Sequence, residues 1–161
     1  YLPGFDRLVL GTGKRSDMLI LIDAGKDGKL APTAEKPREE KAPIKVFGHA
    51  RVSAENPWGK MVVHPGNDKC LMILGPMPEY KVWTNLTGGT SDGWVEEKYN
   101  HPFTAKNLPM IKGGWGTWTC GSVSTHSVVW ALAYDGKVSQ SVLWKPPDPT
   151  VKTDRKKAAV E

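Results

Sequence analysis

Apolar residues in this chain come in short runs, each followed within two residues by glycine, proline or aspartate. The runs are Leu8-Val9-Leu10, Met18 to Ile22, Met61-Val62-Val63, Cys70 to Leu74, Trp118-Thr119-Cys120 and Val128 to Tyr134, with a further run from Val138 to Trp144. β-Branched and aromatic residues recur in them, and no stretch of eleven or more residues free of Gly and Pro has the helical repeat of apolar positions. The pattern predicts an all-β fold. Asp135-Gly136, set between two such runs, predicts a tight hairpin, because a type I′ turn needs two residues with positive φ.

The stretch from Gly113 to Val138 has two weaker counterparts. Its order of aromatic, run, break, run and turn returns from Phe5 to Leu30 and from Trp58 to Trp83, and the leading aromatics Phe5, Trp58 and Trp115 stand 53 and 57 residues apart. A single all-β domain over 1–144 is expected, with repeat units at about 4–56, 57–112 and 113–144. Residues Ala31 to Pro43, with three prolines and mixed charge, are expected to form a long exposed polar loop. Residues 44–52 alternate as a strand with Ile44 and Val46 inward. Residues 145–161 read as an extended, proline-rich and polar tail laid on a neighbouring chain.

Two families share this grammar. The third unit, with its Gly-Trp start, its Asp-Gly turn and its closing β run, resembles a blade of the tectonin or tachylectin type of β-propeller. Three units in about 160 residues are similar in length and period to a β-trefoil, and His64-Pro65-Gly66 followed by Leu71 to Leu74 looks like the repeat of trefoil lectins. The other copies carry Gly11-Thr12-Gly13 and Gly121-Ser122-Val123 there, without the histidine. The expected fold is a compact barrel or sandwich with a degenerate threefold repeat, trefoil-like ahead of propeller-type blades.

Composition alters this picture little. The formal charge is +5, and 24% of residues are charged. Basic and acidic residues are intermixed, so no stripe for nucleic acid stands out. The longest apolar run, Met18 to Ile22, is far short of the roughly 20 residues that a membrane-spanning helix needs. The compartment stays open, although removal of a presequence before Tyr1 would imply an organelle or secretory destination. Cys70 and Cys120 are read as free thiols before a disulfide.

Motifs that suggest chemistry are incomplete. Gly11-Thr12-Gly13-Lys14 is followed by Arg15 where a phosphate loop has Ser or Thr, and a strand follows it where that loop needs a helix. The turn Asp23 to Gly28 puts Gly25 at the third position and Ala34 at the twelfth of a calcium loop, which needs oxygen ligands at both. The four histidines have no metal spacing. No catalytic residue, metal ligand or cofactor is assigned, and the chain is read as not an enzyme.

Function is therefore sought in surfaces. Of the seven tryptophans, Trp58, Trp83, Trp118 and Trp130 lie in β runs and are expected in the core, while Trp94 and Trp115 follow glycine-rich turns, where an indole can meet a partner. The tail adds Lys152, Arg155, Lys156 and Lys157 as candidate contacts. The expectation is a non-catalytic structural or accessory subunit that binds the protein subunits of a larger complex through its loops and tail. The alternative is a lectin-like module that binds glycan through Trp94 and Trp115.

Overall fold

The computed structural model describes residues 1–12, 17–24, 37–46, 58–75, 81–103, 117–134, 137 and 139–151, the side chains of Lys45, Trp58, Thr117, Trp118 and Tyr134 excepted. They form three β-sheets, with short 3-10 turns at Pro3–Phe5 before the first strand and at Ser91–Gly93 and Ser124–His126 between neighbouring strands of one sheet. The protein is all-β. The first sheet is an antiparallel meander of β1 (Arg7–Gly11), β2 (Met18–Asp23) and β3 (Arg38–Lys41), with β2 in the middle. The central sheet runs in the order β4 (Lys45–Val46), β5 (Trp58–Val63), β6 (Leu71–Gly75), β7 (Lys81–Asn85) and β8 (Trp94–Glu97). It is antiparallel apart from the short β4, which lies parallel to β5. The third sheet is β9 (Thr117–Val123), β10 (Val128–Tyr134) and β11 (Ser139–Trp144), antiparallel with β10 in the middle.

The period-2 alternation of a strand decides how these sheets stack. On β6, Leu71 and Ile73 enter one core while Met72 and Leu74 enter the other. Val62 on β5 and Val82 on β7 side with Met72, whereas Met61, Val63 and Trp83 side with Leu71. The central sheet is thus buried on both faces, which explains why β6 reads as an unbroken apolar run. Against one face lie Leu2, Val9, Leu19 and Leu21 of the first sheet and its entry; against the other lie Val129, Ala131, Ala133 and Trp144 of the third. The layers follow chain order, first, central, third. The segment from Tyr99 to Phe103 crosses between the central and third sheets, where Phe103 packs edge-on against Trp144 with ring centroids 5.4 Å apart.

Several expectations are corrected. Residues 31–43 were expected to be a loop, yet Arg38–Lys41 is the third strand of the first sheet, paired from Leu21↔Arg38 to Met18↔Lys41. Ladder hydrogen bonds use backbone groups and need no apolar side chain, and charge on an edge strand guards its open side. The break expected at Gly121-Ser122 does not occur: β9 runs on to Val123, and the chain turns at 124–127. Gly121 stays in the strand because the indole of Trp130 lies over it, so close that a Cβ there would meet ring atoms at 2.7 Å. Trp130 is accordingly half-buried on the outer face and not a core residue. Trp83 is buried as expected. The strand expected over 44–52 is present as Lys45–Val46, with Val46 fully buried; residues 47–52 and the turn residues Asp135 and Gly136 lie outside the described residues.

Candidate interaction surface

Two loops position the groups singled out in the sequence. The first joins β7 to β8. Asn85, fully buried, organises it: its Oδ1 accepts from the Thr87 N–H at 2.9 Å, the Thr87 hydroxyl at 3.1 Å and the Gly89 N–H at 2.8 Å, and its Nδ2 donates to the Thr90 carbonyl at 2.8 Å. Gly88 has φ +74, and a Cβ there would strike the Arg7 guanidinium and the Phe5 ring. Arg7 Nη1 donates to the Gly88 carbonyl at 2.8 Å while its Nε pairs with Asp23. That Arg7 hydrogen bond holds the Asp23 carboxyl below the ordinary carboxylate range. On the other side of the loop, Glu40 accepts from the hydroxyl and the N–H of Ser91, which likewise lowers its pKa. The loop is clamped to the first sheet at both ends.

Trp94 follows this loop directly. Its indole is half-buried and packs against the core between the first and central sheets, and its Nε1 is buried with no hydrogen-bond partner among the described residues. Most of the ring is spent on packing. Trp115, Lys152, Arg155, Lys156 and Lys157 lie outside the described residues.

The second loop is the β5–β6 turn, which holds the first part of the tail. His64 Nδ1 accepts the Gly66 N–H at 3.0 Å, which places the ring proton on Nε2, and this donates to the Pro147 carbonyl at 3.2 Å. Asn67 donates to Asp148 at 3.2 Å, and Pro146 and Pro149 are buried. The neighbouring chain expected to hold the tail is, for residues 145–151, the chain's own domain. Gly4 N–H also bonds to the Asp68 carbonyl at 3.0 Å, so one turn fastens segments from both ends of the described chain.

Burial holds the His64 imidazole below its ordinary value of 6.5, against the opposing pull of the Pro147 carbonyl and Asp148. The sign follows. Just below pH 6.5 the unfolded chain takes up a proton that the folded chain refuses, so stability falls as pH drops through that range. The urea midpoint is expected to decline between pH 7.5 and pH 5.5, and His64→Gln to flatten that decline. An unchanged slope in His64→Gln would show that the ring carries no such linkage. Asp148 is also lowered: burial alone would raise it, but Thr150, Asn67 and His64 together prevail. Its contribution is lost only in a separate window, as pH falls through and below the ordinary value of 3.8.

The surface that the sequence reading missed is the outer face of the third sheet. Strand alternation turns Val128, Trp130 and Leu132 of β10 outward, with Leu143 opposite Trp130 and Val123 opposite Val128. Leu143 is 70% exposed, and Leu132 and Val123 are each 37% exposed. The signal was present in the unbroken run from Val128 to Tyr134, since a strand with one wet face alternates with polar residues.

Chemistry is sparse among the described residues. Cys70 and Cys120 are not joined in a disulfide. Burial pushes the Cys120 thiol up to about 12, which leaves it inert at neutral pH. No group of three or more His, Cys, Asp or Glu side chains among the described residues is placed to hold a metal ion. A cleft of about 100 Å³ between β1 and β5, lined by Tyr1, Val9, Met61 and Val63 among others, falls below the roughly 300 Å³ of a small-molecule pocket. No helix among the described residues is long and apolar enough to cross a membrane. Compared with protein-family models, with curated proteins and with solved structures, the chain matches none.

Proposed function

We propose that the chain is a non-catalytic structural or accessory module that joins a larger protein assembly by laying an open sheet face on another protein. The outer face of the third sheet carries this reading. Leu143, Trp130, Leu132, Val128 and Val123 form one apolar patch, and every outward position of that sheet is uncharged, Thr119, Gly121, Ser139 and Ser141 included. Depletion of charge around exposed aromatic and aliphatic residues is the composition of an interface core. The proposed contact thus moves from the tail to the sheet, with Lys152, Arg155, Lys156 and Lys157 as a basic arm that follows the anchored segment 145–151.

Blade-type units fit this reading better than a closed trefoil. Three separate meanders stacked face to face in chain order, with β5 of the central sheet against β9 of the third, support radial packing of blades. A trefoil instead closes its repeats into one barrel. In this view each sheet is covered by the next, and an uncovered apolar face calls for a partner.

The test is the mass of the native particle that contains the chain. Wild type is expected in a particle well above 17.7 kDa, and Leu143→Glu, at a position 70% exposed and without a packing role, is expected to leave it while keeping the far-ultraviolet spectrum of wild type. Continued co-migration of Leu143→Glu at native mass would overturn the assignment of this face. A monomeric wild type that binds glycans on an array would instead favour the lectin-like alternative, with Trp130 over Gly121 as the stacking platform.

A further inference from the structure

The segment 145–151 that leaves the third sheet lies on the β5–β6 turn, and one imidazole joins the two. His64 is only 3% exposed. Its ring works on both sides of the junction: Nδ1 accepts the Gly66 N–H at 3.0 Å within the turn, and Nε2 donates to the Pro147 carbonyl at 3.2 Å on the segment. Asn67 adds its bond to Asp148 at 3.2 Å, and Pro146 and Pro149 are buried alongside. The turn itself is closed by other groups. The His64 N–H donates to the Cys70 carbonyl, the Asn67 N–H to the His64 carbonyl and the Cys70 N–H to the Asn67 carbonyl, all of them backbone. The junction can therefore open while the turn and the β5–β6 ladder stay formed.

This arrangement accepts only a neutral ring. A second proton can bind only at Nδ1, where it would face the Gly66 N–H, donor against donor, and would put a full charge in a site closed to water. Asp148 on the segment is the charged group that acts on the ring, and it favours the charge, but burial outweighs it. The other charges on these elements, Asp68 and Lys69 on the turn and Lys145 at the start of the segment, are exposed to water. The entry turn Pro3–Phe5, which meets the β5–β6 turn through Gly4, carries none. We propose that the junction is an acid-released clip: protonation of His64 lifts residues 145–151 off the β5–β6 turn while the three sheets stay folded. Lifting the segment opens the Nε2 side of the ring to water and lets the imidazolium turn away from the Gly66 N–H. The consequence is reach. Seven residues of proline-rich chain, at roughly 3.1 Å each when extended, let whatever follows Val151 stand about 20 Å farther from the third sheet. The clip is independent of the role proposed for the outer face of that sheet, and its failure would leave that role untouched.

Opening restores the ring's ordinary affinity for a proton, so the ratio of open to closed is expected to rise by up to about tenfold for each pH unit below 6.5. The test is nuclear magnetic resonance of the 15N-labelled chain from pH 7.5 to pH 5.0, a range that ends above the ordinary value of 3.8 for Asp148. Backbone order parameters at Thr150 and Val151 are expected to fall from about 0.85 to below about 0.6, with the midpoint at which the His64 ring nitrogens shift, while Ile73 and Val82 of the central sheet keep theirs. His64→Gln, which takes up no proton in this range, is expected to show the same order at Thr150 and Val151 at both ends of it. A ring that protonates while Thr150 and Val151 stay rigid would overturn the clip, because Asp148 would then be holding the charged ring in place. So would a ring that stays neutral throughout, loss of order at Ile73 and Val82 together with the segment, or a pH-dependent loss of order that persists in His64→Gln.

Discussion

Trp144→Ala is expected to destabilise the protein by about 3–5 kcal/mol, the range for deleting a large buried aromatic side chain. Trp144 ends β11 opposite Val129 and is surrounded by the rings of Tyr99, His101 and Phe103, at centroid distances of 5.8, 5.9 and 5.4 Å. Its removal opens a void where the crossing segment 99–103 is held between the central and third sheets. Because a domain of this size is stable by only about 5–15 kcal/mol, such a loss takes a large share of the total. The check is the urea midpoint beside that of Leu143→Ala, whose side chain is next in sequence but exposed, and which is expected to stay within about 0.5 kcal/mol of wild type. Equal effects at the two positions would contradict the burial pattern of β11.

Asn85→Ala is expected to cost about 2–5 kcal/mol for a different reason. The substitution leaves the buried Gly89 N–H without its partner, at about 1–3 kcal/mol, and removes the bonds to Thr87 and one of the two donors to the Thr90 carbonyl, which keeps the Gly93 N–H, at about 0.5–1.5 kcal/mol per bond. The loop would also lose the shape that presents the Gly88 carbonyl to Arg7. Asn85→Asp keeps the acceptor for Thr87 and Gly89 but removes the donor to Thr90 and buries a charge, so it should fail by a comparable amount at neutral pH and recover in part on acidification. Hydrogen exchange at the Gly89 amide reports the loop directly. Retained protection of that amide in Asn85→Ala would show that the loop does not depend on this side chain.

Much of the fold was legible where side chains decide it. The runs at Met18 to Ile22, Met61 to Val63, Cys70 to Leu74 and Val128 to Tyr134 are strands because their apolar residues have sheets to pack on. β3 was hidden because Arg38, Glu39, Glu40 and Lys41 pair with β2 through backbone hydrogen bonds, and nothing in their polarity announces a ladder. The continuation of β9 past Gly121 was hidden because glycine signals a break unless its neighbour across the ladder is known, and here that neighbour is the Trp130 indole. The interface reading suffered from a related ambiguity. A run such as Val128 to Tyr134 looks the same whether its second face is buried or bare, so Trp130 was assigned to the core and the candidate contacts were sought at Trp94, which the structure packs against a core, and in the tail.

The β5–β6 turn governs time as well as shape. Its own bonds are local, the His64 N–H donating to the Cys70 carbonyl at 2.8 Å and the Asn67 N–H to the His64 carbonyl at 3.2 Å, and they cost little chain entropy to form. The partners it later receives are distant: His64 reaches Pro147 across 83 positions and Asn67 reaches Asp148 across 81. Closing such loops is slow compared with forming a hairpin. The turn can therefore form before the segment it fastens arrives, and the link between residues 64–67 and 147–148 is among the contacts of greatest sequence separation in the described fold.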